Sequence, residues 1–290
     1  MSAITIKAFA KINLGLRIVG TRPDGYHEIE TTLQSLDLHD TLVLKSLNSS
    51  AIQLEVSSPW QLPTGRENLV YRAAELLVLR LRRDLGVRIV LEKRIPVGAG
   101  LGGGSSDAAA TLVGLNELFH LGLGRAQLHE LAVALGSDVP YFLMGGLCRG
   151  RGRGERLESL PPRFTAYHFV LAMPASALAT ADVYRTYDEL IERGWRPPPA
   201  RICENIDCVN DLEDAATELC PALRALREAL ERSHPELWGM SGSGPAYYAA
   251  WRSPERARHA AHMLLELGYA VYTTRPTLQG HELVMANENL

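Results

Sequence analysis

Five glycines crowd the segment Pro96–Ser106, which reads Pro-Val-Gly-Ala-Gly-Leu-Gly-Gly-Gly-Ser-Ser. Glycine has no Cβ, so backbone N–H groups can turn inward and approach a ligand closely. A helix predicted to begin near Ser105 adds unpaired N–H groups and the positive end of its dipole. Together these suit a bound anion, and the polyphosphate of a nucleotide is the natural occupant. The loop is not of the Walker type, because no Gly-Lys-Ser/Thr follows. Gly-Ala-Gly-Leu-Gly-Gly does satisfy G-x-G-x-x-G, yet no acidic residue closes a strand ~20 residues later, as a dinucleotide site requires. A glycine-rich connection without a ligand is the plain alternative. The strand–loop–helix context favours phosphate.

Other residues could complete a phosphoryl-transfer site. That chemistry needs a positioned nucleophile, neutralised phosphate oxygens and a carboxylate that accepts the hydroxyl proton. Asp138, in Gly136-Ser137-Asp138-Val139-Pro140, stands at a predicted helix start; it reads equally as a proton acceptor or as a capping residue. Lys11 and Asn13 lie two residues apart on one side of a strand, so Lys11 is either a solvated strand lysine or a site cation. Tyr26 and His27 could stack on a base and read its edge, or form a surface pair after a turn. Ser241-Gly242-Ser243-Gly244 offers a second backbone anion site or an ordinary β-turn. Cys203 and Cys208 lack the paired spacing of a zinc site. Arg149–Arg156 superficially suggests an RNA-binding element, but one short stretch interrupted by a glutamate is a poor case for nucleic acid.

These residues need a scaffold. Ile4, Ile6, Ala8, Ala10, Ile12, Leu14, Leu16 and Ile18 alternate with Lys7, Lys11, Asn13 and Arg17, which predicts a strand or strand pair with one buried face. Thr21–Gly25 reads as a turn. Strands are predicted at 41–46, 52–56, 87–95, 167–172, 246–251 and 269–274. Helices are predicted at 68–83 with Gly86 as stop, and at 105–119, 127–135, 181–193, 212–232 and 254–267. Strands and helices mix without strict βα alternation, so an α+β architecture is expected, with a domain boundary near Pro161-Pro162. At 290 residues, 46% hydrophobic and 22% charged, the chain can bury a large core. A net charge of −3 gives no push toward nucleic acid or an acidic membrane. No signal peptide or membrane span is read, and four irregularly spaced cysteines suggest a reduced, cytoplasmic protein.

Four segments carry a resemblance: Ala10–Leu16 (AKINLGL), Arg22–Thr31 (RPDGYHEIET), Pro96–Ala109 and Gly136–Leu143 (GSDVPYFL). Ser241–Ala246 (SGSGPA) and Arg151–Leu157 (RGRGERL) also fit. The chain resembles the GHMP kinases, which include galactokinase, homoserine kinase and mevalonate kinase. Within them it is most similar to the branch that phosphorylates 4-diphosphocytidyl-2-C-methyl-D-erythritol in non-mevalonate isoprenoid synthesis. Phe9 departs from the pattern, which commonly has proline there.

The resemblance implies a two-domain α+β fold. Residues 1–160 would form an N-terminal mixed α/β nucleotide domain, and residues 161–290 a ferredoxin-like C-terminal domain. It implies ATP as co-substrate with Mg2+, a cytidine-diphosphate substrate as partner, no nucleic acid or membrane, and a monomer or homodimer. Lys11 and Asp138 match the catalytic pair. Pro96, Val97, Gly98, Ala99, Gly100, Leu101, Gly102, Gly103, Gly104, Ser105 and Ser106 match the ATP loop, with Asn68 and Lys93 near the nucleoside. Asn13, Tyr26, His27, Tyr184, Ser241, Gly242, Ser243 and Gly244 match substrate contacts, with Tyr26 and Tyr184 on opposite faces of the cytosine. No residues are assigned to the metal.

Overall fold

A computed structural model describes residues 2–81 and 85–284. The first part contains β1 (Ala3–Thr21), β2 (His27–Leu47), β3 (Ile52–Ser57), α1 (Leu69–Leu81), β4 (Gly86–Glu92), α2 (Gly103–Leu118), α3 (Arg125–Leu135), α4 (Val139–Phe142), β5 (Leu147–Gly152) and β6 (Arg156–Ser159). The second contains β7 (His168–Met173), α5 (Thr180–Glu192), β8 (Ile202–Cys203), β9 (Ile206–Asp207), α6 (Glu213–Leu219), α7 (Ala222–Arg232), β10 (Leu237–Met240), β11 (Tyr247–Trp251), α8 (Pro254–Glu266), β12 (Ala270–Thr274) and β13 (His281–Val284).

One sheet runs β13-β1-β2-β4-β3, and β2 also pairs with the β5–β6 hairpin. Its pairs are antiparallel except β3 with β4. A second, antiparallel sheet runs β10-β11-β7-β12. The expected α+β architecture is therefore present. A division at 160/161 leaves β13 with the second part, yet β13 pairs with β1 in the first sheet. Among the described residues, no helix is long and apolar enough to cross a membrane.

Strand β1 organises the molecule. Ile6 and Ala8 pack beneath α1 and α2, Ala10, Ile12 and Leu14 pack against the second sheet, and Leu16 joins the helices of the second part. Register shifts at Phe9/Ala10 and Asn13/Gly15 accompany these changes of partner, as bulges do when they bend a strand and re-aim its side chains. The predicted single buried face is thus divided among three cores. The opposite residues Lys11 and Asn13 are buried as well. The second sheet shares out its faces in the same way. Val170, Ala172, Tyr247 and Ala249 meet its own helices, while Phe169, Leu171 and Tyr248 meet β1.

Several predicted boundaries change. The short strand at 41–46 is the end of the 21-residue β2. The long helix at 212–232 is broken into α6 and α7 at Cys220-Pro221, because proline supplies no N–H and clashes with the preceding turn. Gly86 opens β4 rather than stopping α1, and the predicted helix end at Arg83 lies outside the described residues. Strand β4 ends at Glu92, short of Ile95. There the N–H groups of Arg94 and Ile95 donate to Asp40 Oδ1 instead of to a neighbouring strand.

Candidate active site

Between the two sheets lies a cavity of about 1020 Å³. Its floor is the glycine loop between β4 and α2. Helix α2 starts at Gly103, two residues earlier than predicted. Gly100 and Gly102 have φ of 75° and 71°, which disfavour other residues. Space is also short: a Cβ on Gly100 would lie 2.2 Å from Ser241 O, and one on Gly102 would lie 2.7 Å from Phe142 Cζ. Pro96 through Ser105 all line the cavity. Ser106 does not; it is fully buried, with a hydroxyl that finds no partner among the described residues.

Lys11 and Asp138 meet at the wall beside this loop. The Lys11 backbone N–H donates to Leu101 O at 3.0 Å, which fixes β1 to the loop. The Lys11 ammonium donates to Asn13 Oδ1 at 2.6 Å and stands 3.6 Å from Asp138 Oδ2. Lys11 is 4% exposed and Asp138 41%, so a buried cation faces a carboxylate open to the cavity. Asp138 occupies the N-cap position of α4, but its side chain makes no capping bond. The carboxylate is free for other work. Asn13 is held at both ends, since its Nδ2 donates to Thr31 Oγ1 at 2.7 Å.

Two residues expected near the nucleoside have other partners. Asn68 caps α1: its Oδ1 accepts from Val70 N at 2.9 Å and its Nδ2 donates to Pro63 O at 2.8 Å. The Lys93 ammonium bonds Asp40 and, at 2.7 Å, Asp107. All three side chains are buried. Burial pulls the Lys93 pKa down, but Asp107 and Asp40 together hold it above its ordinary value. Burial, reinforced by Asp40, pushes the Asp107 carboxyl well up. This trio ties β2, the start of the loop and α2 together. Asn68 and Lys93 both border the cavity, with their polar ends already occupied.

At the far end of the cavity the His27 ring lies 5.0 Å from Tyr184, tilted by 31°, and edge-on to Tyr187 at 5.9 Å. Tyr26 is exposed, with the Arg153 guanidinium 4.9 Å above its ring. The neighbour across the face of Tyr184 is therefore His27. Ser241–Gly244 is a β-turn, closed by Gly244 N to Ser241 O at 2.9 Å, and it is docked on the glycine loop through Ser241 Oγ to Gly100 O at 2.9 Å. Gly242 and Ser243 reach the cavity; Ser241 and Gly244 are not part of its lining.

Sequence reasoning missed Thr31, Arg153, Thr180, Arg185 and Asp188 along this wall, and Asp40 and Asp107 beneath it. One signal was available: Asp188 follows Tyr184 by four residues, one helical turn on the same face. In the sequence Arg153 stands only as one member of an arginine-glycine run. That run is the β5–β6 hairpin, and Arg149, Arg151 and Arg156 pair there with Glu158, Glu30 and Glu28. Among the described residues, no three His, Cys, Asp or Glu side chains gather to hold a metal.

The model of the GHMP kinases N terminal domain matches residues 68–146, and that of the GHMP kinases C terminal domain matches residues 196–270. A 4-diphosphocytidyl-2-C-methyl-D-erythritol kinase of Pelotomaculum thermopropionicum is 42% identical over 285 residues, covering 94% of this chain and 97% of its own. Its counterpart in Moorella thermoacetica is 42% identical, covering 95% and 99%. A crystal structure of 4-(cytidine 5'-diphospho)-2C-methyl-D-erythritol kinase superposes with a TM-score of 0.74 at 36% identity, covering 94% of this chain and 98% of that one. The chain belongs to the GHMP kinases, and within them to the 4-diphosphocytidyl-2-C-methyl-D-erythritol kinase family.

Proposed function

We propose that this enzyme transfers the γ-phosphoryl group of ATP to the 2-hydroxyl of 4-diphosphocytidyl-2-C-methyl-D-erythritol, giving the 2-phosphate and ADP. The observation that carries this reading is the shared cavity. It joins the glycine loop, the Lys11–Asp138 pair and the Tyr26/His27/Tyr184 cluster in that order of chemistry: donor phosphate, transfer point, base.

Asp138 accepts the proton of the attacking hydroxyl as the oxygen–phosphorus bond forms and the bond to ADP breaks. Lys11, held by Asn13, stands 3.6 Å from that carboxylate and orients it, and its charge opposes the negative charge gathering on the transferred group. The loop N–H groups and the start of α2 hold the β- and γ-phosphates. The nucleotide phosphates would bring magnesium with them, and the ion would neutralise part of their charge. Asp138, the carboxylate beside the transfer point, would hold the ion from the protein's side. Four free thiols support a reducing compartment such as the cytoplasm.

A substrate panel with ATP and Mg2+, scored by ADP release, tests the assignment. Turnover with the cytidine compound and none with homoserine or mevalonate is expected. The opposite pattern would overturn the substrate assignment and leave the kinase family intact.

A further inference from the structure

His27 belongs to β2 in the first sheet, and its partner Asp188 to α5 in the second part. His27 Nε2 stands 2.8 Å from Asp188 Oδ1. A carboxylate oxygen only accepts, so Nε2 carries the hydrogen. In the neutral ring this leaves Nδ1 as an acceptor, and Nδ1 has no other partner among the described residues. The ring cannot easily turn over, because Tyr184 covers one face and Tyr187 meets it edge-on. The His27 side chain is only 9% exposed, yet it lines the cavity.

We propose that Asp188 is a positioning residue that sets the enzyme's choice of base through the tautomer of His27. This rests on the cytidine substrate proposed above. The edge of cytosine carries an exocyclic amine, which donates; uracil has a carbonyl oxygen at that place, which accepts. An Nδ1 lone pair complements the first and opposes the second. In the neutral ring, presenting a donor to uracil would require the proton to move to Nδ1, and the Asp188 bond to Nε2–H would be lost. The selectivity therefore acts mainly by disfavouring uracil, and it requires the two parts of the protein to be together.

The test compares kcat/KM, at saturating ATP, for the cytidine substrate and its uridine counterpart in the wild type, Asp188→Ala and Asp188→Asn. Asp188→Ala should narrow the cytidine preference about tenfold, the effect of freeing one hydrogen bond of ordinary to charge-assisted strength. The narrowing should come chiefly from improved use of the uridine compound. Asp188→Asn keeps a carbonyl oxygen that accepts from Nε2–H, so it should keep most of the preference. Asp188 is about half exposed, and melting temperatures of both variants verify that folding is intact. A parallel fall for both substrates, or an unchanged ratio in Asp188→Ala, overturns the tautomer role while the substrate assignment stands. A wild type that ignores the cytidine compound and phosphorylates another alcohol removes the substrate assignment, and this inference with it.

Discussion

Replacing Lys93 with methionine separates two roles that one residue cannot hold equally. If its ammonium mainly contacts ATP, the variant folds normally and binds ATP weakly. If its main role is to bridge Asp40 and Asp107, the fold suffers first. The geometry favours the second: Lys93 is 4% exposed, Asp40 0% and Asp107 3%, and the ammonium lies within hydrogen-bond distance of both carboxylates. Removing one partner of a buried pair typically costs ~3–5 kcal/mol, because the remaining charge stays buried without compensation. At ~2–4 °C per kcal/mol for a protein of about this size, the melting temperature should fall by roughly 6–20 °C. Asp107 provides an internal control. Lys93→Met combined with Asp107→Asn leaves one carboxylate, Asp40, which still accepts from the N–H groups of Arg94 and Ile95. The double variant should therefore recover part of the loss, a non-additivity expected of residues in one network. Differential scanning calorimetry, with ATP titrated by isothermal calorimetry, reads both quantities. A melting temperature unchanged in Lys93→Met, with ATP affinity lost, would refute the structural role.

Four further outcomes are expected. Asp107 has a folded-state pKa raised above 3.8, so its stabilising contribution is present below that value and is lost as pH rises through the raised one. The stability gap between Asp107→Asn and the wild type should accordingly move in the variant's favour from about pH 4 upward; parallel melting curves across pH would contradict this. Gly100→Ala should raise the KM for ATP and lower stability, since a Cβ would stand 2.2 Å from Ser241 O at φ 75°. Gly98→Ala, at φ 66° with its nearest contact at 3.8 Å, should show only the strain of ~1–2 kcal/mol; equal effects would remove the close approach as the cause. Tyr26→Ala should weaken binding of the cytidine substrate by roughly five- to two-hundred-fold, with ATP binding and melting temperature unchanged, as the loss of one stacking face implies. Asp138→Asn and Lys11→Ala should each lower turnover by ~10²–10⁴, and the losses should not multiply in the double variant; full multiplication in single-turnover assays would show that they do not act as a pair.

What the sequence made legible follows from what its patterns record. The alternation of β1 survives on paper although the strand changes partners twice, because bulges move the face without erasing the period. Strand β2 was largely missed for the opposite reason. Its buried residues include Thr31, Gln34, Ser35 and Asp40, which are held by Asn13, the Thr277 carbonyl and Lys93 rather than by apolar packing. A pattern that equates burial with hydrophobicity cannot find such a strand. The glycine loop was legible because its chemistry is local, whereas Asp138 read equally as a cap, and only the resemblance and the missing capping bond set that reading aside. The partners of Lys93 lie 53 and 14 residues away, so its pairing could not be read from neighbours, and resemblance alone assigned it to the nucleotide. The stacking of His27 on Tyr184 was likewise out of reach, since it joins β2 to a helix of the second part.

The pairing of β13 with β1 has a consequence in time. Lys7 and Glu282 face each other across 275 residues, so β1 leaves the ribosome long before the strand that covers its outer edge. The returning segment also presses on the helix behind Asp138: His281 Nδ1 meets Phe142 O at 2.9 Å, and Gly280 O accepts from Phe9 N at 3.1 Å. During synthesis β1 is an open edge able to pair with the wrong strand, and closing so long a loop is slow. The wall that carries Lys11 and Asp138 is therefore among the last parts of the molecule to become rigid. A nascent chain released before residue 281 carries both the glycine loop and Asp138, yet lacks the strand that braces them.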